Sequence, residues 1–297
     1  MSEINLVHRC IVQRATRLSP SFLRIVLGGE GLDGFVTSGV GDEYLRIFFP
    51  EPGSTEPVLP APSGDRGWEY PDGVTPSPMR TYTVRAWDET RRELTIDFVV
   101  HDGGIAATWA LRAKPGDVVG VNTPHPLYDA PEGIGWQLLV ADATGLPAAA
   151  RLVELAPPGV RTRVVLEVSD EADRVAIDVP AGIDLHLVLG GNGHGPSQLG
   201  AIVEAAALPD GPGYIWVAGE AKTTRAVRKL LRHEKALPNG AYKVMGYWTE
   251  NAEQWRDRYE SLPAATKQHL LDMWSDESRD ADEIEDDYIA ELERLGL

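Results

Sequence analysis

Apolar and polar positions alternate along the first part of the chain with the period of two that marks half-buried strands. Residues 94–99 show it cleanly, with Leu94, Ile96 and Phe98 set against Thr95 and Asp97. Residues 5–15 and 21–27 read as two earlier strands, the second bounded by Ser19-Pro20 and Gly28-Gly29. Residues 42–49 form a third that stops at Pro50. The stretch 50–79 is broken by Pro, Gly and Ser and reads as a long loop. Short strands joined by such turns, ahead of any strong helix, predict an antiparallel β-barrel.

From Trp136 the rhythm changes. Apolar runs at 137–141, 161–168, 185–189, 214–218 and 242–248 alternate with helical patterns at 148–155, 197–207 and 220–234. That alternation predicts an α/β domain with a parallel sheet, whose binding crevice lies outside the carboxyl ends of the strands. Two more helices, 264–274 and 282–295, follow from the spacing of Leu270, Leu271, Trp274, Ile284, Tyr288, Ile289, Leu292 and Leu295. The expected organisation is a barrel domain over 1–134, an α/β domain over 135–261 and an acidic helical extension over 262–297.

Charge and cysteine content narrow the class. The net charge of −17 argues against a nucleic-acid partner. Much of the excess is local, since residues 271–297 carry eleven acidic and two basic side chains. Within it the acidic run Asp276 to Asp287 reads as a solvated face, with docking of a basic electron-carrier reductase as the alternative. The single cysteine, Cys10, allows neither an internal disulfide nor a cysteine metal cluster. No apolar stretch approaches the ~20 residues of a membrane span, and the first residues lack a signal-peptide pattern. A cytoplasmic, reducing compartment is expected.

Candidate chemistry concentrates between Pro78 and Gly120. Arg80 offers a planar, two-pronged donor set suited to a diphosphate. Tyr82 shares its strand face and offers a ring for a flat heterocycle. Thr83 carries a hydroxyl and an amide where a ring nitrogen could be met. Gly103-Gly104 feeds a helix over 106–112, presenting amides to an anion. Taken singly, Arg-x-Tyr-Thr also suits an ordinary surface strand, and the glycine pair a plain hairpin turn. Together they suit a dinucleotide. In the second domain, Asp142, Thr144 and the following helix start stand at a strand end and offer donors to a pyridine-nucleotide phosphate, and Lys222 and Arg225 are available to a 2′-phosphate. Gly191-x-Gly193-x-Gly195 lacks the spacing of a dinucleotide fingerprint and reads as a flexible loop.

The order of these motifs resembles the siderophore-interacting proteins, FAD-containing ferric-siderophore reductases with a ferredoxin-reductase-like fold. Arg-x-Tyr-Thr-x-Arg stands at 80–85, Asp-Phe-Val-x-His at 97–101, Gly-x-Ala-x-x-Trp-Ala at 104–110 and Pro-Gly-Asp at 115–117. Trp-Val-Ala-Gly-Glu follows at 216–220 and Gly-Tyr-Trp at 246–248. The resemblance implies a ferredoxin-NADP reductase-like pair of domains, a barrel for FAD and an α/β domain for NADPH or NADH. It implies FAD contacts from Arg80, Thr81, Tyr82, Thr83, Asp97, Val99, His101, Gly104, Ala106, Ala107 and Thr108. Asp142, Thr144 and Trp248 would serve the nicotinamide side, and Arg46, Lys243 and Arg225 an anionic ferric siderophore.

Two departures stand out. The family's serine near the diphosphate is Ala107, with Thr108 beside it. Where relatives carry basic residues after Gly-Tyr-Trp, this chain has Thr249-Glu250-Asn251. The first leaves open a non-catalytic siderophore carrier, the second a flavin reductase with another acceptor. Ferredoxin stands beside NADPH and NADH as an alternative electron donor. No catalytic side chain is expected, because FAD itself accepts hydride and releases single electrons.

Overall fold

The computed structural model describes residues 6–63, 67–100, 103–250, 252–275, 279 and 281–297. His101 and Asp102 therefore lie outside the described residues. One compact unit runs to Trp248 and a second from Thr249 to Leu297.

The first unit opens with β1 (Val7–Arg17), β2 (Phe22–Gly28) and β3 (Tyr44–Phe48). A short hairpin of β4 (Ala61–Ser63) and β5 (Gly67–Glu69) lies within the stretch read from sequence as loop. Three-residue strands beside Pro and Gly are too short to leave a periodic signal. Then come β6 (Met79–Thr83), β7 (Ala86–Asp88), β8 (Glu93–Val99), a six-residue helix α1 (Ile105–Ala110) and β9 (Val118–Asn122). Seven strands form one antiparallel sheet in the order β6-β3-β9-β1-β2-β8-β7. Its ends approach each other: β6 leads through Val84 and Arg85 directly into β7, and the Tyr82 and Phe98 rings lie 4.3 Å apart. The sheet is thus barrel-like.

The alternation in β8 has a structural cause on both faces. Leu94, Ile96 and Phe98 enter the barrel core with Leu23, Ile25 and Leu45. Val99 packs on the other side, against the core of the parallel sheet.

That sheet contains β10 (Trp136–Ala141), β11 (Arg161–Val168), β12 (Asp184–Leu189), β13 (Gly213–Glu220) and β14 (Tyr242–Trp248), ordered β12-β11-β10-β13-β14 and all parallel. Three helices intervene: α2 (Leu146–Glu154), α3 (Leu199–Ala205) and α4 (Ala221–Lys229). Strand side chains divide by parity. Ile215 and Val217 face a core shared with α3 and α4, while Tyr214, Trp216 and Ala218 face α2 and Phe22 of the barrel. The architecture is a barrel-like antiparallel sheet followed by a parallel α/β sheet, the fold class that the sequence predicts.

Buried polar contacts join the two sheets. Asp42, fully buried, accepts from the Trp216 indole at 2.8 Å and from the amides of Leu127 and Tyr128 at 3.1 and 2.7 Å. Its neighbour Glu43 accepts from Arg151 of α2 at 3.0 Å, and Arg151 also donates to the Val84 carbonyl at 2.6 Å. Such groups are tolerated in an interior only when paired in this way.

The second unit is helical: α5 (Ala252–Ser261), α6 (Ala264–Asp272) and α7 (Ala281–Arg294). Trp255 stacks on Tyr259 at 5.3 Å, and Trp274 meets Tyr288 edge-on at 5.7 Å. No helix among the described residues is long and apolar enough to cross a membrane.

Candidate functional site

β6 sorts the first group of candidates by face. Cross-strand partners share a side of the sheet, and β3–β6 pairing matches Leu45 with Tyr82 and Ile47 with Arg80. Arg80 and Tyr82 therefore stand on the side that α1 covers through Ala106, Ala110 and Trp109. Thr81 and Thr83 share the opposite side with Arg46 and Tyr44. Thr81 is exposed and Thr83 buried.

Pairing separates the two arginines of the 80–85 motif. Arg85 is bound to Glu154 through two contacts of 3.0 and 2.5 Å, and its Nε lies 3.7 Å from Asp97. Arg80 has no carboxylate partner among the described residues and donates to the carbonyl of Met79 at 2.8 Å. It alone of the two keeps its charge available to a ligand. Burial raises the Tyr82 hydroxyl well above the ordinary phenol range, with the Arg80 charge pulling the other way. Tyr82 thus remains a neutral ring at physiological pH, which suits a stacking surface.

Asp97 is committed elsewhere. Both carboxylate oxygens accept from Arg24 at 2.7 Å, and the pair holds the Arg24 guanidinium above its usual range. Gly104 adopts φ 78°, a left-handed conformation that favours glycine, and passes directly into α1. Ala106 and Ala107 are buried against the barrel while Thr108 is exposed. The Thr108 hydroxyl does not occupy the place of the Ala107 methyl, since neighbouring helical positions point about 100° apart.

The second group gathers where β10 ends. Asp142 is 2% exposed. Its Oδ1 accepts from the Thr144 hydroxyl at 2.6 Å and amide at 2.9 Å, and its Oδ2 from the Trp248 indole at 2.6 Å. A Cβ on Gly219 would meet Oδ2 at 2.9 Å, so glycine there gives the carboxylate room. Burial nevertheless raises the Asp142 carboxyl, against the lowering effect of these hydrogen bonds. Glu167, fully buried at the end of β11, accepts from the Gln198 amide at 2.5 Å and the Ser197 hydroxyl at 2.9 Å. It too is raised, first by burial and further by the Asp142 charge.

Sequence reasoning had no means to see Glu167, Asp42 or Asn192. Asn192 lies inside the glycine stretch read as flexible, yet its side chain links three backbone groups. It accepts from the Ala143 amide at 2.9 Å and donates to the carbonyls of Glu167 and Gly190 at 3.1 and 3.0 Å. It adopts a positive φ of 57°, a conformation that Asn tolerates. Tyr247 stands inside the Gly-Tyr-Trp signature but was not singled out as a candidate. Its hydroxyl is buried with no hydrogen-bond partner among the described residues, and burial and the Asp42 charge raise it.

The three proposed substrate cations do not converge. Arg46 is exposed, with its guanidinium 5.4 Å from the Trp68 ring centroid. Lys243 lies on β14 between Tyr242 and Val244, hence on the barrel side of the sheet, whereas Arg225 belongs to α4 on the other side.

Residues 11–127 match the siderophore-interacting FAD-binding domain, and residues 134–251 match the siderophore-interacting protein family. The NADPH-dependent ferric-chelate reductase of Escherichia coli is 34% identical over 240 residues, 80% of this chain and 91% of the relative. The chain belongs to the siderophore-interacting protein family. A siderophore utilization protein from T. fusca superposes with a TM-score of 0.73 at 32% identity, covering 84% of this chain and 95% of that one. A Neisseria gonorrhoeae ferredoxin NADP+ reductase solved with FAD and NADP shares the fold alone, at 12% identity and a TM-score of 0.56 over 82% of this chain and 99% of that one. The family's second domain match ends at 251, so most of the second helical unit lies beyond it.

Proposed function

We propose that this siderophore-interacting protein is an FAD-dependent reductase that passes electrons from NADPH or NADH to ferric iron held in a siderophore. The observation that carries this reading is the presence of both family domains in one chain, in register with a ferric-chelate reductase over 91% of that relative's length. The division expected near residue 134 is supported by the start of the second domain match there.

The barrel side fits a flavin dinucleotide on its own chemistry. Arg80 is a cation that no carboxylate neutralises among the described residues, and it shares a face with the neutral ring of Tyr82. Arg80 would hold the diphosphate, and Tyr82 would lie against the heterocycle. Thr83, buried on the opposite side of β6, would meet the ring edge. FAD, when bound, supplies the change from two-electron hydride acceptance to one-electron release. The protein's task is then to place donor and acceptor and to keep water from intervening. Trp248 stands on the nucleotide side of that arrangement, anchored through Asp142. Arg46, held over Trp68, is the exposed cation best placed on the barrel to meet an anionic chelate. Ferredoxin remains the alternative donor, and burial of Cys10, which raises its thiol and leaves it unreactive, suits a reducing cytoplasm.

The test is the visible spectrum of the purified protein, before and after heat release of any bound flavin, followed by NADPH- and NADH-driven reduction of a ferric siderophore with the Fe(II) trapped by a ferrous chelator. Flavin absorbance, FAD in the supernatant and Fe(II) formation are expected. A colourless protein that refuses added FAD would overturn the reading. FAD without Fe(II) would transfer it to another acceptor.

A further inference from the structure

The start of α2 has the form of a phosphate site but not the capacity of one. The Ala143 amide is taken by Asn192 at 2.9 Å, and the Thr144 amide by Asp142 at 2.9 Å. The Gly145 amide is shared by the carbonyl and the carboxylate of Asp142, at 3.1 and 3.4 Å, and the Leu146 amide goes to the Ala143 carbonyl at 3.3 Å. Pro147 has no N–H to give. An anion arriving here would find every donor from 143 to 147 engaged and a buried carboxylate in its path. Glu167, on the adjacent strand, adds charge of the same sign, and no cation pairs with Asp142 among the described residues.

An unpaired carboxylate in an interior is costly, so its contacts show what it secures. One oxygen closes the turn into α2. The other holds the Trp248 indole at 2.6 Å, at the far side of β13 from β10. Two features accommodate that bond. Gly219 leaves space beside Oδ2, and a Cβ at Gly193 would lie 3.9 Å from the far edge of the Trp248 ring.

We infer that Asp142 is a positioning residue for pyridine-nucleotide oxidation: it fixes Trp248 at the strand-end crevice and closes the α2 N-terminus to phosphate, so the nucleotide is placed by the indole and not by a phosphate clasp on α2. The two placements predict opposite signs for one substitution. Asp142→Asn keeps an acceptor oxygen for Thr144 and Gly145 but turns an NH2 group toward the Trp248 N–H, which breaks that bond and removes the negative charge. A phosphate clasp would bind NADPH more tightly once the carboxylate is neutralised. Positioning through Trp248 instead predicts a KM for NADPH or NADH raised about tenfold, the factor a hydrogen bond to a charged group commonly carries, with kcat changed less than about threefold.

The inference rests on the reductase reading, so wild-type turnover with NADPH and NADH is measured first. No wild-type turnover would remove that reading, whereas wild-type turnover with variants of unchanged KM would remove only this inference. Trp248→Phe, which deletes the N–H from the other side, is expected to raise KM similarly, and the double variant no further than either single one. The tryptophan emission should shift in Asp142→Asn and lose that shift in the double variant. A KM that falls in Asp142→Asn, or effects that add in the double variant, would overturn the assignment. Should Asp142→Asn not fold, Trp248→Phe decides alone: a raised KM supports the inference and an unchanged one refutes it.

Discussion

Asp97→Ala separates a structural acid from a cofactor ligand. Asp97 is 3% exposed, with both oxygens on Arg24 and the Arg85 Nε 3.7 Å away. Removing one partner of a buried ion pair costs about 3–5 kcal/mol, because the other charge is left uncompensated. Here the two orphans are unequal. The Arg24 side chain is 31% exposed and can turn to water, while Arg85 keeps Glu154 at 2.5 Å. The expected loss is therefore at the lower end, about 3 kcal/mol, against a typical total of about 5–15. The assay is urea unfolding followed separately by far-UV circular dichroism and by flavin fluorescence, since a two-lobed chain need not unfold in one step. FAD affinity, measured well below the transition, should change less than about tenfold, because the carboxylate is turned to Arg24 and Arg85. A stability loss under about 1 kcal/mol, or an FAD affinity reduced about a hundredfold, would return Asp97 to the cofactor site and refute the reasoning.

Arg80→Ala is expected to weaken FAD binding by about 10- to 100-fold, the worth of charge-assisted bonds to a phosphate, while the flavin-free melting temperature stays nearly unchanged. Equal flavin occupancy after gel filtration would remove Arg80 from the site. Glu167→Gln tests a raised carboxyl. Because the native state holds the proton more tightly than the unfolded chain, this group favours folding near the ordinary glutamate pKa of about 4.3 and loses that contribution as pH rises through its raised native value. The variant keeps an acceptor for Gln198, so it should melt higher than wild type near about pH 8 and show a flatter melting-temperature profile down to about pH 5. Parallel profiles would contradict this. Gly219→Ala places a methyl 2.9 Å from the Asp142 carboxylate and 2.8 Å from Leu199. It should cost about 1–3 kcal/mol of stability and raise the nucleotide KM in the same direction as Asp142→Asn, whereas an unchanged KM would mean the carboxylate yields without moving Trp248.

The fold was legible because each sheet has a repeating reason for its pattern. Leu94, Ile96 and Phe98 alternate because one side of β8 fills the barrel, and the α/β rhythm after Trp136 follows from helices covering a parallel sheet. The β4–β5 hairpin escaped because its strands are three residues long and contain Pro62 and Gly67. The site was legible as a set of motifs but not as a set of partners. Arg80 and Arg85 stand in the same six-residue signature, and what tells them apart is Glu154, 69 residues away on α2, together with Asp97 on β8. Asp42 and Trp216 are separated by 174 positions, a distance over which neither composition nor periodicity carries information. Thr144 promised a donor to a phosphate, and its donors turned inward because Asp142, two residues earlier, is close enough to take both.

The acidic balance of the chain bears less on its substrate than the sequence suggests. A net charge of −17 would oppose an anionic chelate if it acted as one field, but exposed charges are screened beyond about 8 Å at physiological ionic strength. Many acids of the first unit are already spent. Glu43 and Glu154 neutralise arginines across the two lobes, and Asp97, Glu56 and Glu93 pair with Arg24, Arg9 and Arg14 on the barrel. What a chelate meets close to the barrel is set by the charges left over, and Arg80 on β6 with Arg46 on β3 are cations without a carboxylate partner among the described residues. They occupy adjacent register positions on opposite sides of the same strand pair. One is therefore available to a dinucleotide on the α1 side and the other to an acceptor on the outer side. The strand pairing that separates them also brings them within one residue of each other along the sheet.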